Sequence, residues 1–350
     1  MPTLAEPVAR APAHPARFFE RAGDGRLRCT LCPRDCRLAD GQAGFCVVRE
    51  NRGGTLVSTA WGRSTGFAVD PIEKKPLYHF HPGTRIFSTG PNGCNLKCRF
   101  CQNWGTSKAR ALGEGMLRCT PDDVVSLAVA EGCPSIAFTY NDPVTWAEWA
   151  IDVAREARRR GVRTVFVTAG YVGAEAREEI FEHMDAVNVD LKAFTEEFYA
   201  RVTLSHLAPV LETLAWLGRQ RRTWVEVTNL LIPGLNDDPA ETRELADWLA
   251  ANLGPDVPLH FSAFHPAWKM TDRPRTPPAR LTRARAIARE AGLRHVYTGN
   301  VRDPEGQSTS CPGCALVVVE RDGHGVRVDR LGPGGACPRC GTRIAGRFGA

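Results

Sequence analysis

The fold is decided by the stretch Gly93-Cys94-Asn95-Leu96-Lys97-Cys98-Arg99-Phe100-Cys101-Gln102-Asn103, which carries three cysteines spaced C-x3-C-x2-C. Such a loop is too tight for ordinary disulfide pairing, and three ligands are too few to close a tetrahedral zinc site. A cubane iron–sulfur cluster takes four ligands, so three thiolates leave one iron open for a substrate or a cofactor. The alternatives are a chance group of cysteines and a zinc loop that takes its fourth ligand from elsewhere in the chain.

The composition is that of an ordinary globular protein, with 43% hydrophobic and 24% charged residues among 350. The net charge of +6 permits nucleic-acid binding without indicating it. No apolar run approaches the roughly 18 residues that cross a bilayer, and no signal-peptide core is evident. Most of the 13 cysteines fall into three groups with metal-like spacing, which suits a reducing compartment. We therefore expect a cytoplasmic protein.

The N-terminal part is expected to hold a second metal site. Residues 1–25 are rich in Ala, Pro and Arg and lack periodicity, which predicts a poorly ordered leader. The next segment, residues 26–84, contains four cysteines spaced C-x2-C-x3-C-x9-C: Cys29, Cys32, Cys36 and Cys46. With Gly and Pro among them, these thiols can converge on zinc or on an auxiliary iron–sulfur cluster. Free or redox-active thiols are the alternative.

The C-terminal residues 301–350 have the pattern of a zinc ribbon. Two C-x2-C pairs are separated by 22 residues: Cys311 and Cys314, then Cys337 and Cys340. Alternating segments between the pairs predict two strands, so four thiolates would bind zinc in a module too small to fold on its own core. A structural or partner-docking role follows, and two unrelated thiol pairs are the alternative. Cys119 and Cys133 stand alone and are expected to be buried apolar side chains.

Between these segments, residues 85–300 read as strands alternating with helices. The predicted strands are Arg85 to Gly90, Pro134 to Tyr140, Arg163 to Thr168, Ala186 to Leu191, Trp224 to Ile232 and Pro258 to Phe264, with a further candidate at Arg294 to Thr298. Six or so βα units predict an α/β fold, a partial, open TIM-like (β/α)6 barrel. Functional groups should lie at the carboxyl ends of its strands, and the cysteine loop directly follows the first strand.

Polar residues follow the other strands. Asn141 and Asp142 come after the second strand, Thr168 ends the third, and Asp190 and Lys192 end the fourth. Asn141, Asp142 and Thr168 are also typical helix caps, which is the structural alternative. The segment Asp70 to Phe80 mixes charged, aromatic and proline residues, and its paired Lys and Glu favour a solvated surface loop.

The three-cysteine loop resembles the signature of the radical S-adenosylmethionine (SAM) superfamily. The wider set of motifs resembles the radical SAM member of the AmmeMemoRadiSam system, itself similar to pyruvate formate-lyase activating enzymes. That set comprises the leading cysteines, DPIEKKPLYHF at 70–80, GCNLKCRFCQNW at 93–104, FTYNDP at 138–143, NVDLKAF at 188–194, IPGLND at 232–237 and the terminal ribbon. The resemblance marks the segment at 70–80 as a family feature.

The resemblance implies a 4Fe-4S cluster on Cys94, Cys98 and Cys101, with SAM chelating the fourth iron and being cleaved to a 5'-deoxyadenosyl radical. The implied cofactor contacts are Phe100, Asn103, Asn141, Asp142, Thr168, Asp190, Lys192, Ile232 and His265. Two positions depart from the activating enzymes. The third strand ends in Val-Thr-Ala-Gly where they carry Asp-Thr-Asn-Gly, and the second lacks their Gly-Gly-Glu turn.

The expected function is abstraction of a hydrogen atom from a protein, as in glycyl-radical activation, or from a small molecule. The expected partners are an electron donor such as flavodoxin or ferredoxin and, from the family's name, Memo-like and AMMECR-type proteins. The zinc ribbon and the excess of basic over acidic residues leave a second hypothesis open, that of an RNA-modifying or RNA-binding protein. A redox or metal-sensing scaffold, in which the cysteines only hold clusters, is another.

Overall fold

The computed structural model describes residues 13–108 and 116–349. The chain divides into two compact units. The first comprises the described residues up to Asp70 together with Ile86–Asp185, and the second comprises Pro71–Arg85 together with the described residues from Ala186. No helix in the described ranges is long and apolar enough to cross a membrane.

The first unit contains small antiparallel strands followed by βα units. Its strands are β1 (His14–Pro15), β2 (Phe19–Arg21), β3 (Leu27–Cys29), β4 (Arg37–Leu38), β5 (Arg49–Arg52), β6 (Thr55–Ser58), β7 (Arg63–Ser64), β8 (Phe67–Pro71), β9 (Arg85–Thr89), β10 (Leu117–Arg118), β11 (Ser135–Phe138) and β12 (Arg163–Thr168). Its helices are α1 (Trp104–Ser107), α2 (Pro121–Ala130), α3 (Ala147–Arg159) and α4 (Ala174–Glu182).

The sheet of this unit is built on β11, which pairs in parallel with β9 on one side and β12 on the other. All four residues of β11 are buried, as expected for a strand covered on both faces. Helix α2 begins at Pro121, because the Thr120 side chain accepts from Asp123 N–H and the Asp123 carboxylate accepts from Thr120 N–H. Trp146 and Trp149 are fully buried in the core.

The prediction of a poorly ordered leader over residues 1–25 is wrong for the described residues, 13–25. Strand β1 pairs with β6 and β2 pairs with β3, so the chain is already in β-structure at His14. Arg17 N–H also donates to the Glu148 carboxylate of α3 at 2.8 Å. These partners lie far along the chain, where no local periodicity could indicate them. Residues 1–12 lie outside the described residues.

The second unit continues the βα alternation and ends in a β-hairpin. Its strands are β13 (Ala186–Asp190), β14 (Trp224–Leu231), β15 (Leu259–Ala263), β16 (Val296–Gly299), β17 (Thr309–Ser310), β18 (Val317–Asp322) and β19 (Gly325–Asp329). Its helices are α5 (Glu196–Phe198), α6 (Ala208–Gln220), α7 (Pro239–Asn252), α8 (Pro278–Glu290) and α9 (Pro304–Gln307), and a π-helix spans Tyr199–Thr203. Strands β13 to β16 pair in parallel in that order, which confirms the further candidate strand as β16.

The segment Asp70 to Phe80 is not the solvated loop that its charges favour. Glu73 and Lys75 are buried, and Glu73 lies 3.5 Å from the guanidinium of Arg321 in β18. Arg321 also donates to Tyr78 O at 2.7 Å. Glu73 therefore faces inward, because its partner comes from the terminal hairpin more than 240 residues later.

Glu226, in β14, holds the same segment to the sheet. Its fully buried carboxylate accepts from the N–H groups of Tyr78 at 2.9 Å and His79 at 2.7 Å. It also accepts from Trp224 Nε1 at 3.0 Å and lies 2.7 Å from His260 Nε2. One carboxylate thus satisfies donors from three elements, which no neutral side chain of that size can do.

We expect Glu226→Gln to lower the free energy of unfolding by about 3 kcal/mol, because an amide offers one acceptor atom and turns its own donors toward buried N–H groups. Denaturant unfolding measures this change. The matched control is Glu290→Gln, which removes an exposed partner of Arg243 and should cost less than about 1 kcal/mol. Equal midpoints for the two variants would contradict the anchoring role.

Candidate active site

The three-cysteine loop leaves the carboxyl end of β9 and closes on helix α1. Cys94 and Cys98 are buried and Cys101 is half-buried, and none of the three forms a disulfide. The Cys94 Sγ accepts from the N–H of Leu96 at 3.4 Å, and the Cys101 Sγ lies 3.2 Å from the Ser107 hydroxyl. Burial raises the pKa of the Cys94 thiol, as does the nearby Asp142 carboxylate. A bound cation is therefore needed to keep this sulfur as a thiolate.

The N-terminal cysteine segment packs directly against this loop. A side chain at Gly93, where φ is +79°, would meet the carbonyl oxygen of Cys46 at 2.2 Å, so only glycine permits the approach. Arg34 Nε donates to Asn95 O at 2.9 Å, and its guanidinium lies 3.8 Å from the centre of the Phe45 ring. The first unit therefore places the two predicted metal segments side by side.

The four N-terminal cysteines share one small cavity. Cys29 and Cys46 are buried, and Cys32 and Cys36 are half-buried. All four line the cavity together with Leu31, Leu38 and Phe45. None of these four described sulfurs is hydrogen-bonded to another of the four, so the thiols line the cavity without contacting one another.

Asp142 joins the carboxyl ends of β11 and β12. Its buried carboxylate accepts from Val144 N–H at 3.1 Å, the Thr168 hydroxyl at 2.9 Å and Ala169 N–H at 3.0 Å. Its own backbone N–H is hydrogen-bonded to the Cys94 sulfur. Asp142 therefore has the capping contact of the structural alternative, while Thr168 caps no helix and instead donates to Asp142.

The two candidate asparagines of this unit connect neighbouring loops. Asn141 Nδ2 donates to Pro91 O at 2.6 Å, and its Oδ1 accepts from the Thr106 hydroxyl at 3.2 Å. Asn103 Nδ2 donates to Tyr140 O at 2.5 Å. Phe100 is buried in the same loop. The structure thus brings together Phe100, Asn103, Asn141, Asp142 and Thr168 around the three cysteines.

The remaining candidates lie at strand ends of the second unit. Lys192 Nζ pairs with the Asp190 carboxylate at 2.6 Å, and both side chains are partly exposed. Ile232 is buried, and its N–H donates to Asn236 Oδ1 at 2.7 Å. His265 follows β15 and is half-buried. Asn236 also donates to Lys192 O at 2.7 Å, so one side chain joins the ends of β13 and β14.

The C-terminal cysteines converge. The ligand atoms of Cys311, Cys314, Cys337 and Cys340 lie within 4.8 Å of one another, and among the described residues this is the set arranged to hold a single metal ion. Cys311 and Cys340, and likewise Cys314 and Cys337, have sulfurs 3.6 Å apart. Hydrogen bonding by Thr342 lowers the pKa of Cys340 to about 6, which favours the thiolate.

Comparison with known proteins places this geometry in a family. The sequence pattern of the radical SAM superfamily matches residues 89–246. An uncharacterized protein of Methanocaldococcus jannaschii is 39% identical over 330 residues, covering 94% of this chain and 98% of that protein. The chain belongs to the radical SAM superfamily.

Two further comparisons agree with that assignment. The pyruvate formate-lyase-activating enzyme of Clostridium pasteurianum is 25% identical over 166 residues, which cover 44% of this chain and 65% of that enzyme. A radical SAM methyltransferase from Sphaerobacter thermophilus has a similar fold, with a TM-score of 0.51 and 16% identity over 83% of this chain and 78% of that chain. The α/β radical SAM fold is therefore confirmed, and the open (β/α)6 barrel stays a prediction.

Membership of the superfamily implies that this enzyme uses a 4Fe-4S cluster and SAM. The residues present fit the cluster, because three cysteines that form no disulfide lie in one loop, with an N–H donor at Cys94. Two lysines lie near Cys94, Lys97 in the loop and Lys108 directly after α1. Lys108 lowers the pKa of Cys94, and burial followed by Lys108 lowers the pKa of Lys97. Positive side chains of this kind offset the negative charge of a thiolate-bound cluster.

Sequence reasoning missed several residues of this radical SAM enzyme. Arg34 and Asn95 join the N-terminal segment to the cysteine loop, and Asn236 joins two strand ends. Asn95 and Asn236 lie inside the motifs at 93–104 and 232–237. The sequence therefore indicates where they are, but not which groups they are hydrogen-bonded to. Buried Asn in a loop between strands is the signal that could have indicated them, because each such amide needs several partners.

We expect Asp142→Asn to lower the free energy of unfolding of the metal-free chain by about 2 kcal/mol, because one of three buried donors loses its acceptor. Denaturant unfolding measures the loss. Thr168→Ser, which keeps the hydroxyl that donates to Asp142 and accepts from Gly170 N–H, should have a smaller effect. An Asp142→Asn chain as stable as the native one would exclude this carboxylate as the contact between the strands.

Proposed function

We propose that this radical SAM enzyme reductively cleaves SAM to a 5'-deoxyadenosyl radical and abstracts a hydrogen atom from a protein or a small molecule. The observation that carries the proposal is the buried three-thiol loop at the carboxyl end of β9, which leaves one ligand position of a cubane cluster open. The bound cluster supplies one electron to the sulfonium of SAM. The protein supplies geometry, charge and shielding from water.

The candidate cofactor contacts divide into two kinds. The side chains of Asn141 and Asp142 are already hydrogen-bonded within the protein, so we assign them to shaping the loop whose backbone would face the SAM amino group. Lys192 is paired with Asp190, so a SAM carboxylate would compete with Asp190 for the ammonium group. Asn103, Ile232 and His265 remain proposed contacts.

Within this reaction class we favour glycyl-radical activation, which the likeness to activating enzymes supports. The electron donor would be a small protein such as flavodoxin or ferredoxin. Memo-like and AMMECR-type proteins are the proposed partners. Generation of a glycyl radical on a candidate partner, detected by electron paramagnetic resonance with SAM and reductant, would identify an activase, and its absence would favour a small substrate.

We expect anaerobically reconstituted protein with SAM and a strong reductant to produce 5'-deoxyadenosine, and Cys98→Ala to produce none, because two thiolates do not hold a cubane in place. Mass spectrometry measures the product. Cys133→Ala is the matched control, since Cys133 is a buried cysteine outside the three groups.

Product from the native chain and the control, together with none from Cys98→Ala, would establish the reaction. The absence of product from all three chains, with a full iron complement, would instead favour a scaffold that only holds clusters.

We further propose that the two outer cysteine groups hold different metals. Tetrahedral zinc with Zn–S bonds of about 2.3 Å separates its sulfurs by about 3.8 Å, which the C-terminal pairs at 3.6 Å match. The N-terminal cysteines line one cavity without such sulfur–sulfur contacts, so we assign them to an iron–sulfur cluster, whose thiolates bind separate iron atoms. Its position against Gly93 and Asn95 suits transfer of electrons to the radical SAM cluster.

Metal analysis tests this division. Cys340→Ala should lose about one zinc per chain and keep its iron, because three thiolates no longer close the tetrahedron. Cys36→Ala should lose iron and keep zinc. Loss of zinc from Cys36→Ala would mean that the N-terminal set is a second zinc site.

A further inference from the structure

A cavity of about 340 Å³ opens on the first unit, outside both of its cysteine groups. It is lined by His14, Trp61 and Arg63 from the N-terminal strands and by Arg118, Thr120 and Asp123 around the start of α2. The imidazole of His14 stacks on the Trp61 ring with 4.3 Å between the centroids. The size is in the range of pockets that bind small molecules.

Arg63 lines this cavity with an unpaired charge. Only 6% of the residue is exposed, yet its guanidinium makes no hydrogen bond and no ion pair with any described residue. Its Nη2 atom is fully buried without a partner. A buried cation without a partner is costly, so the arrangement indicates that a negative group from outside the described residues lies here.

Arg118 adds a second positive charge to the same wall. It is paired directly opposite Arg63 where β10 meets β7 in antiparallel register. Like charges at facing positions of an antiparallel pair repel each other. Burial, followed by the charges of Arg118 and Arg52, lowers the pKa of Arg63.

The acidic group at the cavity does not fill that role. The Asp123 carboxylate accepts from Thr120 N–H at 2.7 Å and from the Thr120 hydroxyl at 2.8 Å, closing the N-terminus of α2. Arg52, the third arginine, pairs with Glu50 at 3.0 Å. Arg63 and Arg118 are therefore the uncompensated pair.

We propose that this cavity binds an oxyanion, the phosphoryl or carboxylate group of a small ligand, between the guanidinium groups of Arg63 and Arg118. Two guanidinium forks match the several oxygens of such a group. The stacked His14 and Trp61 rings provide a flat wall for the remainder of the ligand.

The site adjoins the strand from which the cysteine loop begins. Ser64, next to Arg63, has its hydroxyl 2.7 Å from that of Thr89, the last residue of β9. Thr65 N–H donates to Gly90 O at 2.9 Å. A ligand bound by Arg63 would thus lie near the start of the loop that carries Cys94.

Calorimetric titration with inorganic phosphate and, separately, with succinate tests the site on the purified full chain, at fixed ionic strength set with potassium chloride. We expect saturable binding of one of the two, weakened about tenfold or more in Arg118→Gln and in Arg63→Gln, which corresponds to the loss of a charge-assisted hydrogen bond. Stronger phosphate binding would indicate a phosphoryl ligand, and stronger succinate binding a carboxylate ligand.

The control is Arg294→Gln, an exposed arginine of the second unit paired with Asp256, which should bind as the native chain does. Because Arg118 is exposed, its variant should fold even if Arg63→Gln does not. No saturable binding by the native chain, or equal affinities in native and Arg118→Gln proteins, would overturn the proposal. This titration needs neither SAM nor reductant, so its outcome is independent of the radical reaction.

Discussion

The buried carboxylate of Asp142 is the contact on which the candidate active site depends. It binds donors from β12 and from its own loop, and its backbone N–H reaches the sulfur of Cys94. A carboxylate in this position must be hydrogen-bonded on every side, because an unsatisfied buried charge would cost more than the loop gains by folding. Asp142 therefore joins the cluster loop, the 3₁₀ turn at Pro143–Trp146 and the end of β12.

Metal ligation substitutes for hydrophobic burial at the end of the second unit. The apolar core of the C-terminal hairpin consists of Cys311, Val318, Cys337 and Ile344, so half of its fully buried residues are also candidate metal ligands. A core of this size contributes little on its own. Zinc binding and the contacts of Arg321 with Glu73 and Tyr78 would then hold the hairpin to its unit.

The segment from Asp70 to Phe80 has a structural explanation within the second unit. Glu226 binds its backbone from the sheet, and Arg321 binds it from the hairpin. Burial lowers the pKa of His79 well below its usual value, so the neutral ring donates to Ala345 O at 2.6 Å and accepts from the Tyr297 hydroxyl. From Pro71 onward the segment is a connector inside the second unit, which explains why Glu73 is buried without a catalytic role.

The sequence by itself determined the order of strands and helices in the βα core, the three cysteine groups and the strand ends that carry polar residues. These features depend on local periodicity and spacing, which short stretches of sequence encode directly. Only the tertiary structure decided that Asp142 binds β12, that Arg34 binds the cysteine loop, and that Glu73 is buried against Arg321. It alone showed that Arg63 Nη2 is buried with no hydrogen-bond partner among the described residues. Each of these outcomes depends on groups tens to hundreds of residues apart, and a local pattern contains no information on which distant charge will neutralise a buried one.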